Sequence, residues 1–144
     1  MDIYSSPISK FMTKKVITSK VSSTIKSACK SMYDNNVGCL VIVKQTIKGI
    51  VPVGIITERD LVKIVGSMEL FYPLISIREF MSYPLISGNS TMTLSKAIDI
   101  MSKKNIRRLP VIDSEGDHEK LVGIITEKDI INAIAKPRRD HVRS

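Results

Sequence analysis

The chain contains no tryptophan, two cysteines, two histidines and seven glycines in 144 residues, and each shortage excludes something. Three phenylalanines and four tyrosines, several at core-like positions, leave no aromatic platform on which nucleic-acid bases could stack. Cys29 and Cys39 fall on what read as a helix and a strand. They are too sparse for a disulfide framework, and His118 and His141 are too remote in spacing to complete a metal site with them. Both cysteines are expected to be small buried apolar side chains. The glycines form no phosphate-cradling loop of the Walker or dinucleotide type, and no serine, cysteine or histidine has the partners of a catalytic triad. The acid pairs Glu58/Asp60 and Glu127/Asp129 lie on expected first helical turns, and nothing in the sequence marks any of them as a general acid. Catalysis is therefore not expected. Apolar runs stop after four or five residues, as from Leu40 to Val43, too short to span a membrane. The start Met1-Asp2-Ile3-Tyr4 lacks the basic and apolar regions of a secretory signal, so a cytoplasmic protein is the default.

The composition that remains, 43% hydrophobic and 25% charged, is that of an ordered globular protein. Formal net charge is +8, and the end of the chain, Lys136-Pro137-Arg138-Arg139-Asp140-His141-Val142-Arg143, is conspicuously basic. Nucleic-acid contact through this tail is a secondary, nonspecific expectation. Lys26, Lys30, Lys103 and Lys104 sit on expected exposed helix faces, the ordinary place for lysine.

Gly54-Ile55-Ile56-Thr57-Glu58-Arg59-Asp60 recurs as Gly123-Ile124-Ile125-Thr126-Glu127-Lys128-Asp129, an offset of 69 residues. The offset holds without a gap from Ile8/Ile77 to Val62/Ile131, with identities at Phe11/Phe80, Met12/Met81, Ile17/Ile86, Thr24/Thr93, Ala28/Ala97, Met32/Met101, Asn36/Asn105 and Leu40/Leu109. The chain is a duplicated unit of about 60 residues, and a unit of that size alone buries only ~60% of its unfolded surface. The two copies are therefore expected to share a core about a pseudo-twofold axis rather than to form a solenoid. The copies are set at 7–68 and 76–136, with 137–144 as a tail.

Each copy reads as helix, strand, helix, strand, strand, helix. In the first, Ser6 caps a short helix from Ile8 to Met12 with Pro7 at its first position. Val16-Ile17 is a short strand, and Thr24 to Asn35 places Ile25, Ala28, Cys29 and Met32 at helical spacing. Cys39 to Val43 and Val51 to Ile56 are strands joined by a turn from Lys44 to Gly49, and Thr57 caps a helix from Glu58. In the second copy Ser76 caps Ile77 to Met81, and Leu85 to Ser87 is the short strand. Thr93 to Lys104 is a helix, Arg108 to Asp113 and Leu121 to Thr126 are strands about Ser114-Glu115-Gly116, and a helix from Glu127 ends near Ala135. Gly66 to Pro73 joins the copies.

The repeated heptapeptide has a chemistry of its own. Its glycine lets a strand end pass close to another group. Its threonine, at a helix N-cap, offers a hydroxyl beside backbone N–H groups where anions are stabilised. Its aspartate, on the first helical turn, can accept hydrogen bonds from two vicinal hydroxyls such as those of a ribose. The same residues are equally an ordinary capped, acidic first turn worth ~1 kcal/mol, and both roles can hold at once.

The order of elements, the Gly-hydrophobic-hydrophobic-Thr-x-x-Asp turn and the stretch Arg107-Arg108-Leu109-Pro110-Val111-Ile112-Asp113 closely resemble the cystathionine β-synthase (CBS) domain, and two in tandem resemble a stand-alone Bateman module. The resemblance implies an α+β fold, an α/β sandwich-like pair of βαββα repeats. It also implies two ligand clefts, each combining the Thr-x-x-Asp of one copy with the hairpin entry of the other. The main one would hold Thr57 and Asp60 with Met81, Ile86, Ser87, Ile106, Arg107 and Arg108. The other would hold Thr126 and Asp129 with Met12, Ile17, Thr18, Val37, Gly38 and Cys39; it lacks the arginines, and three readings stay open for it: empty, a site for a nucleoside without phosphates, or packing only. The implied ligand of the main cleft is an adenine nucleotide or adenosyl compound (AMP, ADP, ATP or S-adenosylmethionine), acting as a regulator rather than a required cofactor. Asp60 would meet the ribose, Thr57 and Arg107 or Arg108 the phosphates, and Ile86 and Ile106 the base. Homodimerisation through the helices at Thr24–Asn35 and Glu58–Gly66, and an effector protein that reads occupancy, are further implications. Two other readings stay open: a ligand-free dimerisation scaffold, and a basic nucleic-acid-associated factor.

Overall fold

The structure, a computed structural model, describes residues 2–67 and 73–136. The expected basic tail and most of the expected connection between the copies lie outside the described residues. The first copy contains β1 (Thr18–Lys20), α1 (Ile25–Asn35), β2 (Cys39–Thr46), β3 (Gly49–Thr57) and α2 (Glu58–Ser67). The second contains α3 (Leu94–Lys104), β4 (Arg108–Glu115), β5 (His118–Thr126) and α4 (Glu127–Ala135).

The helix ends follow from the residues that stand at them. Thr24 accepts from the Ser27 N–H and Thr93 from the Lys96 N–H, each at 3.1 Å. Asn36 and Asn105 close α1 and α3 in the left-handed conformation (φ 51° and 52°), which asparagine tolerates better than most residues. The N–H groups of Val37 and Ile106 then return to the carbonyls of Met32 and Met101 at 3.1 and 3.0 Å.

β2 and β3 pair antiparallel, Leu40 opposite Ile56 and Thr46 opposite Gly49. This hairpin is longer than expected, because polar Lys44, Gln45 and Thr46 continue the ladder rather than forming a loop. Pro52 is tolerated because the register shifts between Ile42 and Val43, the residue Pro52 faces. β1 joins β2 in parallel at Thr18–Val41, just beyond the expected Val16-Ile17, so the edge strand is polar and carries no apolar signature. The second copy's counterpart is a single parallel bridge, Gly88 to Val111. The strand expected at Leu85 to Ser87 is absent among the described residues.

The short opening helices are single 3-10 turns at Ile8–Lys10 and Ile77–Glu79. The first is not capped by the Ser6 side chain; the Ser6 carbonyl instead accepts the Leu94 N–H of α3 at 2.9 Å.

The chain forms two compact bodies that are not contiguous in sequence. One gathers the described residues before Val16, Ser87–Glu115 and the described residues from Glu119 to Lys136; the other is chiefly Val16–Ile86. Each contains the opening segment of the other copy. Ile8 is fully buried among Leu94, Ala97, Met101, Leu109, Val111 and Ile125 of the second copy, and Ile77 is fully buried among Ile25, Ala28, Leu40, Ile42 and Ile56 of the first. The copies therefore share their cores by exchange: there are two clusters, each with residues from both copies. Burying an isoleucine contributes about 1.5–3 kcal/mol, so these two anchors are substantial. Contrary to expectation Cys29 is exposed on α1, because the inward stripe of that helix is taken by Ile25, Ala28 and Met32. Cys39 is half-buried, and the two form no disulfide.

Candidate functional site

The strand that ends each heptapeptide delivers threonine to a helix start, and the aspartate three residues on closes a reciprocal pair. In the first copy the Asp60 N–H donates to Thr57 Oγ1 at 3.2 Å, and the Thr57 N–H donates to Asp60 Oδ2 at 2.9 Å. In the second the corresponding distances are 3.1 Å for Asp129 to Thr126 and 3.0 Å for Thr126 to Asp129. Both are capping boxes with aspartate in place of glutamate.

Capping uses only part of each group. Thr57 Oγ1 accepts a bond but keeps its own proton, and Asp60 Oδ1 is left over, so a donor and an anionic acceptor remain on one half-buried turn. The helix N-terminus itself is largely satisfied from within. The Glu58 N–H donates to the Gly38 carbonyl and the Glu127 N–H to the Arg107 carbonyl, both at 2.9 Å. An anion beside Thr57 would meet fewer available N–H groups than at an uncapped helix end.

The motif glycine serves the exchange of segments. A Cβ on Gly54 would stand 2.8 Å from the Ser82 carbonyl oxygen and 3.0 Å from Met81 Sδ; on Gly123 it would stand 2.7 Å from Met12 Sδ and 2.9 Å from the Thr13 carbonyl oxygen. Beside these glycines the exchanged segments form two-way backbone bridges. Ser82 pairs with Ile55 at 2.9 and 3.1 Å, and Thr13 pairs with Ile124 at 2.8 and 2.9 Å. The close approach the glycine allows is therefore to protein backbone.

The candidate residues divide between the bodies. Thr57, Asp60, Met81 and Ile86 belong to one, together with Ile17, Thr18, Val37, Gly38 and Cys39; Cys39 pairs directly with Thr57 across β2 and β3. Ser87, Ile106, Arg107 and Arg108 belong to the other, with Met12, Thr126 and Asp129. There Arg107 Nε lies 4.0 Å from Glu127 Oε2, both side chains well exposed. At that distance and exposure the pair contributes little to stability.

One polar clasp escaped the sequence reading. Asp113, at the end of the Arg107–Asp113 stretch, accepts the Ser90 N–H at 2.8 Å and the Ser90 hydroxyl at 2.6 Å. The hydroxyl and then the backbone N–H hold its carboxyl below the usual value of 3.8, partly offset by desolvation. The positions equivalent to Ser90 and Asp113 in the first copy are Val21 and Lys44, so the clasp is peculiar to the second. An acid at a strand end opposite a Ser-Thr loop was its only signal.

Among the described residues no group of three or more His, Cys, Asp or Glu could hold a metal ion, and no helix is long and apolar enough to cross a membrane.

A duplicated unit whose copies each end in a capped Thr-x-x-Asp turn defines a paired-repeat α+β module. Comparison with known proteins gives it a family: the chain belongs to the CBS domain family, which matches it twice, over residues 8–67 and 77–136. It is 37% identical over 118 residues to an uncharacterised protein of Methanopyrus kandleri, covering 82% of this chain and 57% of that one. Its fold is similar to that of an uncharacterised conserved protein from Pyrococcus horikoshii, with TM-score 0.79 and 30% identity, covering 96% of this chain and 97% of that one. It is also similar to the CBS domain pair of the protein MJ0100, with TM-score 0.77 and 28% identity over 92% of this chain and 98% of that one. That pair was solved in complex with 5′-methylthioadenosine and S-adenosyl-L-methionine.

Proposed function

We propose that this protein is a regulatory module that binds an adenosyl compound at its Thr-x-x-Asp turns and passes the occupied state to a partner protein. The observation that carries the reading is the Thr57–Asp60 turn, where capping leaves a hydroxyl proton and a carboxylate oxygen available for a phosphate and a ribose hydroxyl. The similarity to a domain pair that binds two adenosyl compounds supports the ligand class.

In this reading Asp60 takes the ribose, Thr57 and Arg107 or Arg108 the phosphates, and Ile86 and Ile106 the faces of the base, with Met81 and Ser87 beside them. Each charge-assisted contact from an arginine is worth about 1.5–3 kcal/mol. Thr126 and Asp129, with Met12, Ile17, Thr18, Val37, Gly38 and Cys39, form the second set, which has no arginine. The ligand transmits a signal to the extent that it prefers one conformation of the protein over another. No catalytic step is assigned, and a cytoplasmic location belongs to the same proposal. So does a homodimer using α2, where Val62 is 73% and Val65 is 41% exposed.

The test is calorimetry with AMP, ADP, ATP and S-adenosylmethionine on the wild type, Asp60→Ala, and Arg107→Ala/Arg108→Ala. A ligand at 100 times its Kd stabilises the fold by about 2.7 kcal/mol, so thermal shift gives a parallel readout. Asp60→Ala also removes half of a cap, so affinity rather than melting temperature is the measure for that variant. Binding lost in both variants of a folded protein is expected. Silence with all four compounds would favour the scaffold reading.

A further inference from the structure

Asp60 and Asp129 hold equivalent positions, yet their carboxylates are not equally available. Asp60 accepts the Thr57 N–H and, among the described residues, no second donor. Ser82, equivalent to Thr13, bridges Ile55 through its backbone, but its hydroxyl makes no bond to Asp60. Asp129 accepts the Thr126 N–H at 3.0 Å and, in addition, the Thr13 hydroxyl, which lies 3.2 Å from Oδ1 and 3.3 Å from Oδ2. Thr13 is not there by chance of a surface rotamer alone, because its backbone is fixed on both sides by the bridge to Ile124.

A vicinal diol bound by an aspartate uses the same acceptor capacity that Thr13 draws on at both oxygens. We propose that the Thr13 hydroxyl is an internal occupant of the Asp129 diol position and so lowers the affinity of that Thr-x-x-Asp turn, in addition to the arginines assigned only to the Asp60 set. A ribose meets Asp60 directly, whereas at Asp129 it must displace Thr13. This rests on the adenosyl-binding reading above. It adds that part of the inequality of the two turns is encoded by a residue outside the heptapeptide.

The experiment titrates AMP calorimetrically into the full chain as wild type, Thr13→Val, Thr13→Ser and Thr13→Val/Asp129→Ala. Valine keeps the shape and the backbone bridge and removes the donor. The weaker of two AMP binding steps is expected to tighten about tenfold in Thr13→Val, equivalent to about 1.4 kcal/mol. It should stay as in the wild type with serine, and disappear in the double variant. The 2′,3′-dideoxy analogue of AMP, which has no diol, should gain nothing from Thr13→Val. An unchanged weaker step in Thr13→Val, a single AMP step in both wild type and Thr13→Val, or an equal gain by the dideoxy analogue, overturns the inference while leaving AMP binding by the wild type intact. Failure of every protein, wild type included, to bind AMP overturns the functional reading for this ligand and takes the inference with it.

Discussion

Ser90 gives both of its hydrogens, one from the backbone and one from the hydroxyl, to the two carboxylate oxygens of Asp113. The clasp ties the loop before α3 to β4 in the second copy only. Because the folded carboxyl is held below its ordinary 3.8, the stability it contributes is present above about pH 4. It is lost as pH falls through the lower, folded value. Thermal melts of wild type and Asp113→Asn from pH 7 to pH 2 should differ at neutral pH and converge in acid. A difference that stays constant down to pH 2 would rule the clasp out as its source.

Ile8→Ala should destabilise by about 2–5 kcal/mol, the usual range for emptying a fully buried isoleucine position. The location of the damage is the sharper test. Ile8 belongs to the first copy by sequence but packs on α3 and β4 of the second. Hydrogen exchange should accelerate in Leu94–Lys104 and Arg108–Glu115 before it does in α1 or β2. Loss centred on α1 and β2 would contradict the exchange of opening segments.

Gly54→Ala and Gly123→Ala should each cost about 1–3 kcal/mol, as overpacking does when a neighbour cannot retreat. The flexible thioethers of Met81 and Met12 can move aside, but the carbonyls of Ser82 and Thr13 are held in backbone bridges. Truncating the methionine as well, in Gly54→Ala/Met81→Ala, should recover little. Denaturant melts that show full recovery would place the constraint in the side chain instead.

If α2 mediates self-association, Val62→Glu should shift the protein towards monomer in sedimentation velocity without changing its melting temperature at high dilution. Val62 is 73% exposed, so its replacement leaves the core untouched. A wild-type protein that sediments as monomer at all concentrations would remove the homodimer from the proposal.

Much of this fold was legible in the residues. The duplication, the order of elements and the caps at Thr57, Ser76 and Thr126 all rest on local chemistry, which a sequence records directly. The exchanged segments were not legible, because Ile8 and Ile77 look alike and either could fill either core; which one does is decided by chain path. The edge strands were misplaced for a different reason. Thr18–Lys20 is polar and gains its place from pairing with Val41–Val43, a partner that apolar periodicity cannot report. At the candidate site the heptapeptide announced its threonine and aspartate, and their reciprocal bonds are local. Thr13 and Ser90, which modify the second copy, act across long sequence separations and carry no motif.

The interchange of opening segments also decides what can be taken from this chain and kept. Each repeat looks, in sequence, like a cassette that could be expressed or transplanted by itself. Severed from its neighbour, either one would leave behind the isoleucine that seals its interior and the bridge that flanks its own Thr-x-x-Asp turn. The unit that can be moved or engineered is therefore the pair, and halves supplied separately are expected to regain structure only by finding one another.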